Sequence, residues 1–134
     1  AKKEKPLTLD VLFRALADPT RLRLLNLIAD RDICVCYFVE ILGISQPKIS
    51  RHLAYLRRAG VVAARRQGRW MHYRLVPQLD PAASSILRET LTHLRQGPGM
   101  DRDLAKLDSA CCKPGKFDIL DSAPQPPLPS IARS

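Results

Sequence analysis

Between Ile41 and Leu79 the chain contains no aspartate and no glutamate. Nor does it hold an apolar run near 18 residues, so no segment reads as a membrane span. The first 25 residues carry charges every few positions and lack the apolar core of a secretory signal. Aromatics make up only 5% of the residues, which leaves an aliphatic, leucine-rich core. There is no Ser/His/Asp order, no carboxylate pair in an apolar setting, no phosphate-cradling glycine loop and no C-x-x-C motif, so no enzymatic reading has support. The expectation is a cytosolic, non-enzymatic chain whose four cysteines are reduced thiols rather than disulfides.

What fills the acid-free stretch is basic. Lys48, Arg51, Arg57, Arg58, Arg65, Arg66, Arg69 and Arg74 all fall within it, and the whole chain carries a formal charge of +9. Solubilising surfaces mix both signs, whereas a single-sign field of this density marks a polyanion footprint. An acidic membrane surface would need an exposed apolar face beside the basic one, and the basic helix uses its apolar face for the core. Double-stranded DNA is therefore the expected partner.

The pattern of residues agrees. With 134 residues the chain has room for one domain with a modest core. Thr8 can cap a first helix that carries Leu9, Leu12, Phe13 and Leu16 on one face. Asp18-Pro19 is a start signal for a second helix, buried on more than one side through Leu22, Leu24, Leu25, Leu27 and Ile28, and ended by Arg31-Asp32. A third helix, from Cys34 or Val35 to about Leu42, turns Val35, Phe38, Val39 and Leu42 inward and stops at Gly43. Ser45 caps the fourth, whose inner stripe is Ile49, Leu53 and Leu56. Its outer face offers Gln46, Lys48, Ser50, Arg51, His52, Tyr55 and Arg58. Two short helices joined at a glycine, the second basic outside, form a helix-turn-helix pattern. After Gly60 a hairpin follows, with strands over residues 61–66 and 69–75 and its turn at Gln67-Gly68.

Each exposed group has a task in such a reader. Phosphate contacts give affinity and base edges give specificity. Lys48, Arg57 and Arg58 suit phosphates; Gln46, Ser50, Arg51 and His52 can enter a major groove. Arg66 and Arg69 flank the hairpin tip and suit an adjacent minor groove. A final helix over residues 82–96 carries Ile86, Leu87, Leu91 and Leu94, and we read this stripe as a subunit seam, since a symmetric reader of palindromic DNA needs one. The expected organisation is a DNA-binding and dimerisation domain over residues 1–97. Residues 98–134 then form a cysteine-bearing segment with a helical turn or two over residues 100–107, an exposed loop at 109–115 and a proline-rich, disordered tail.

The segments LADPTRLRLLNLI, ICVC, SQPKISRHLAYLRRAGVV and RRQGRWMHYRL resemble the ArsR/SmtB family of bacterial metal- and metalloid-sensing repressors, with special similarity to its arsenic-responsive members. The resemblance covers about residues 9–94. It implies a mainly α, dimeric winged helix-turn-helix protein with a small β-hairpin, which sits on operator DNA and dissociates when an inducer binds.

The cysteines carry the inducer question. In the arsenic repressors that the chain resembles, C-V-C-x-x-C supplies three thiolates to trivalent arsenic or antimony. Here Cys34 and Cys36 are present, and Val39 stands where the third cysteine would fall. Residues two apart on a regular helix point about 200° apart, so this pair can face one ion only if the first turn is distorted. Either thiol could also be core packing. Cys111-Cys112 has less packing rationale, and Lys113 and Lys116 nearby favour thiolates. The pair resembles the C-terminal vicinal cysteines of some relatives. The site is expected to centre on Cys111 and Cys112, alone or with Cys34 or Cys36 of the same or the partner chain. Two thiolates would favour a methylated trivalent arsenical, three would favour arsenite or antimonite, and no organic cofactor is implied. A thiol redox switch is the rival reading. Zinc-sensing relatives use paired Asp/His and His/Glu on the last helix; only Glu89 and His93 stand there, so His93 reads as a solvated interface residue. His52 and His72 read as DNA-contacting or structural groups.

Overall fold

The computed structural model describes residues 8–78 and 80–112, with only the backbone of Cys111 and Cys112. Among the described residues, six helices accompany a small sheet: α1 Leu9–Leu16, α2 Pro19–Ile28, β1 Ile33–Cys34, α3 Val35–Leu42, α4 Gln46–Arg58, β2 Val62–Gln67, β3 Trp70–Leu75, α5 Pro81–Leu94 and α6 Met100–Cys112. The winged helix-turn-helix expectation holds. The sheet is antiparallel in the order β1-β3-β2.

Local chemistry explains most boundaries. The Asp18 carboxylate accepts from the amides of Thr20 and Arg21 at 2.8 and 3.0 Å, and Pro19 occupies the first turn of α2, where a missing N–H costs nothing. α2 ends at Ile28, three residues before the Arg31-Asp32 stop read from sequence. Asp80 caps α5 through the Ala83 amide at 3.2 Å, so α5 begins one residue earlier than its pattern indicated. Gly43 takes φ 64, the left-handed conformation that reverses the chain between α3 and α4. Leu24, Leu25, Leu27, Ile28, Phe38, Ile49, Leu53 and Leu56 are fully buried, so α2 forms the centre against which α4, α5 and α6 pack.

Several sequence expectations shift. In α3 the most buried side chains are Cys36, Tyr37, Phe38, Ile41 and Leu42, while Val35 and Val39 lie at the core's margin. The cause is β1, which fixes the entry angle of the helix and is too short at two residues to show a period. On α1, Leu12 is buried but Leu9 and Phe13 are 43% and 52% exposed.

The larger correction concerns the segment after Gly99. The loop expected at 109–115 is helical as far as Cys112, the end of the thirteen-residue α6; residues 113–115 and the proline-rich tail lie outside the described residues. α6 packs on α2 and α3 and brings Leu107 and Ala110 into the core. Its anchor is an ion pair: the Arg23 guanidinium donates to both Asp103 oxygens at 2.9 Å. Asp103 is 2% exposed, and Asn26 adds a bond to the Met100 carbonyl at 3.2 Å.

Candidate nucleic-acid interface and cysteine site

α4 presents one face to the core and one to solvent. Ile49, Leu53 and Leu56 hold it in place, and Gln46, Lys48, Ser50, Arg51, Arg57 and Arg58 are exposed together on its outer side. The other two sequence candidates on this helix are half-buried. His52 Nδ1 lies 3.9 Å from the Asp18 carboxylate. The Arg21 guanidinium stacks 4.1 Å above the Tyr55 ring and donates to the carbonyls of Ala15 and Arg14. Both side chains seat α4 on the N-terminus of α2, a contact that α4's own sequence does not reveal.

The hairpin is one residue out of step with its sequence reading. Gln67 pairs with Trp70, so the turn is Gly68-Arg69, with Gly68 at φ 62. Arg66 and Arg69 are exposed at this tip, and Arg69 sits 5.1 Å over the Trp70 ring. Arg65 is committed elsewhere: it donates to Asp32 at 3.2 and 3.3 Å and to Gln67 at 3.2 Å. Asp32 precedes β1, so this contact ties the wing to the cysteine segment.

Cys34 and Cys36 come together because they do not share a helix. Cys34 is the last residue of β1 and the N-cap of α3, with φ −69 and ψ 141, while Cys36 lies in the first helical turn. Their sulfurs are 3.0 Å apart, both residues are buried, and neither is in a disulfide. The 200° divergence expected for a regular helix does not arise. The hydrogen bond from the Cys36 thiol draws Cys34 down to about 7 against the opposing effect of burial, with help from the Cys36 amide. The same bond, together with burial, pushes Cys36 upward. The thiolate therefore collects on Cys34 as pH rises through about 7, while Cys36 keeps its proton. In a Cys111→Ser/Cys112→Ser chain, thiolate ultraviolet absorbance should rise by one equivalent around that pH; two equivalents rising together would contradict the pairing.

His72 is 3% exposed. It lies opposite Cys34 on β1 and opposite Arg65 on β2. Among the described residues, neither ring nitrogen has a hydrogen-bond partner, and the Asp32 oxygen 3.9 Å from Nδ1 has none either. Burial, then the Arg65 charge, lower the His72 pKa against the pull of Asp32. His93 is exposed on α5. Cys111 and Cys112 occupy the C-terminal end of α6.

Comparison with known proteins decides the lineage. The pattern described as "Bacterial regulatory protein, arsR family" matches residues 18–64. The Arsenical resistance operon repressor of Escherichia coli strain K12 is 48% identical over 79 residues, which is 58% of this chain and 68% of that protein. The chain belongs to the ArsR family. A second ArsR relative, the Arsenic resistance transcriptional regulator ArsR1 of Pseudomonas putida, is 47% identical over 83 residues, 61% of this chain and 65% of its own length, just under two thirds. Among solved structures, HlyU from Vibrio cholerae N16961 aligns at a TM-score of 0.57 and 30% identity, covering 66% of this chain and 92% of that one. The AntR antimony-specific transcriptional repressor aligns at 0.53 and 30% identity, covering 72% and 96%. The ArsR fold and these relatives are those of transcriptional regulators.

Proposed function

We propose that the chain is a homodimeric DNA-binding repressor that releases its operator when trivalent arsenic, as arsenite or a methylated arsenical, or antimonite binds its cysteine thiolates. The observation that carries the proposal is the 3.0 Å approach of Cys34 and Cys36 in a segment laddered to the wing. Two thiol donors stand side by side there, and in this proposal they join Cys111 and Cys112 of α6, which packs on α3, in holding the ion. The names of the arsenic- and antimony-responsive relatives point to the same inducer class.

The DNA reader in this proposal is the exposed set Gln46, Lys48, Ser50, Arg51, Arg57, Arg58, Arg66 and Arg69, with His52 and Tyr55 seating the helix. Lys48→Ala should weaken binding by a similar factor on every sequence and reduce the salt slope by about one. Arg51→Ala should cost about 1–3 kcal/mol on the operator and relax base preference. Equilibrium binding at several salt concentrations separates the two, and an unchanged slope for Lys48→Ala would remove it from the phosphate set. The exposed Leu9 and Phe13 on α1, with the partly buried Ile86 and Leu91 on α5, offer the apolar surface for the subunit seam.

Release is tested by following a labelled operator fragment while arsenite, methylarsenite or antimonite is added under reductant, and in a parallel sample with peroxide alone. Metalloid-driven release supports the proposal. Release by peroxide only would replace it with a thiol-oxidation switch.

A further inference from the structure

The face of α5 that carries Leu87, Arg88, Leu91, Thr92 and Arg95 has no part in the DNA reading or thiol chemistry above. These residues recur at helical spacing and line one wall of a cleft of about 630 Å³. The other wall is the turn from α2 into β1, together with Arg74, Leu75 and Val76 where the chain leaves the wing. Ala29 shapes that turn. It takes φ 37 and ψ −109, and it alone among the described non-glycine residues has a positive φ. Backbone strain of this kind gathers at ligand clamps and functional sites.

The lining combines two chemistries. Leu87 is buried, and Leu75, Val76 and Leu91 are half-buried, so the inner part of the cleft is aliphatic. Arg74, Arg88 and Arg95 are exposed around it, and the buried Arg31 donates to the Leu27 carbonyl at 3.1 Å. Against these four cations the lining has two carboxylates, Asp30 and Asp32, and Asp32 is already held by Arg65 at 3.2 Å. Among the described residues, no carboxylate pairs with Arg74, Arg88 or Arg95. Charges that only solubilise a surface are interspersed in sign. Here arginines ring an apolar hollow whose volume is that of a small-molecule site.

We propose that this cleft binds a small organic carboxylate with an apolar body, and that its occupancy changes operator affinity. A guanidinium fork meets a carboxylate through two parallel hydrogen bonds. Leu75, Leu87 and Leu91 then exclude water from the hydrocarbon part. An inorganic anion would leave those side chains uncovered, and a neutral hydrocarbon would leave the arginines unpaired. The amphiphile satisfies both. Among the described residues no cysteine lines the cleft, so the inference stands apart from the metalloid reading. Its position gives the occupant leverage: one wall continues into the wing through Arg74, and the other is the helix whose Leu91 borders the proposed seam. Carboxylate and operator then change each other's affinity by the same factor.

The test is calorimetric titration of the full, reduced chain with 1-naphthoate and octanoate, with 1-naphthol and 1-octanol as uncharged controls. The expected result is one carboxylate per chain, bound at least about tenfold tighter than its control, with the negative heat-capacity change of apolar burial. Arg88→Gln/Arg95→Gln should weaken naphthoate binding about tenfold or more and leave ligand-free operator affinity unchanged. Thr92→Trp, at an exposed position on the same wall, should block uptake with every arginine in place, which covers the case of a misfolded arginine variant. Saturating naphthoate should shift operator affinity about fivefold or more in the wild type and leave Thr92→Trp unmoved. Equal affinity for naphthoate and naphthol, uptake unaltered in both variants, or no uptake by the wild type would each overturn the site. An operator affinity indifferent to bound naphthoate would overturn the coupling. Dissociation of the arginine variant to monomers in sedimentation, with no uptake by the wild type, would give the cleft to a second copy of the chain. The arsenite release assay runs through the cysteines, so its failure would leave each of these outcomes readable.

Discussion

Replacing Cys34 and Cys36 together by serine should raise the arsenite concentration for half-release of operator by about 100-fold or more, with operator affinity changed by about twofold or less. The two sulfurs already stand 3.0 Å apart, and one of them collects a thiolate near neutral pH, so serine removes both the soft donors and the preformed geometry. DNA affinity should survive because neither residue is on the exposed basic face, and an oxygen replaces sulfur with little change in volume. The comparison is Cys111→Ser/Cys112→Ser in the same release assay. Partial loss there with complete loss in the Cys34/Cys36 variant would place the main chelate at the head of α3. Normal release by the Cys34/Cys36 variant would eliminate that pair, and full loss on the other side would move the site to α6.

The second large effect concerns stability. Arg23→Ala should destabilise the fold by roughly 2–3 kcal/mol, at the low end for a broken buried pair because the Arg23 side chain is 38% exposed. The cause is what remains: Asp103, at 2% exposure, is left without its cationic partner. Asp103→Ala should cost less, since a freed Arg23 can reach water, and the double variant should recover part of the loss suffered by Arg23→Ala alone. Denaturant unfolding of the three variants reads this order directly. Equal losses for the two single variants would show that desolvation of Asp103 is not the controlling factor.

Much of this protein was open to reading from the chain itself, because its strongest signals are local. Asp18-Pro19, Gly43, the Ile49/Leu53/Leu56 stripe and the acid-free basic stretch each act within a few residues, and each reappears in the fold as expected. The misses are non-local. The turn or two expected over residues 100–107 runs on to Cys112 and packs on the core: α6 carries charges and small residues with little apolar weight, and its Asp103 is buried against Arg23, eighty positions away. His52 and Tyr55 lie on the correct helix for a reader, yet Asp18 and Arg21 draw them inward. The cysteine geometry was misjudged for a related reason. A helical wheel assumes both residues are helical, and the pairing of Ile33-Cys34 with Tyr73-His72 takes Cys34 out of the helix.

That pairing also limits how the molecule can be rearranged. A β-hairpin wing looks like a cassette that could be cut at Val62 and Leu75 and moved between proteins. In this chain its inner edge is covered by Ile33 and Cys34, and its outer strand is tethered through Arg65 to Asp32. A transplanted hairpin would arrive with an open edge, ready to pair with another copy, and with an unclaimed arginine. Functional chimeras would have to carry residues 32–36 along with the wing, so the reader's wing and its thiol pair are inherited as one unit.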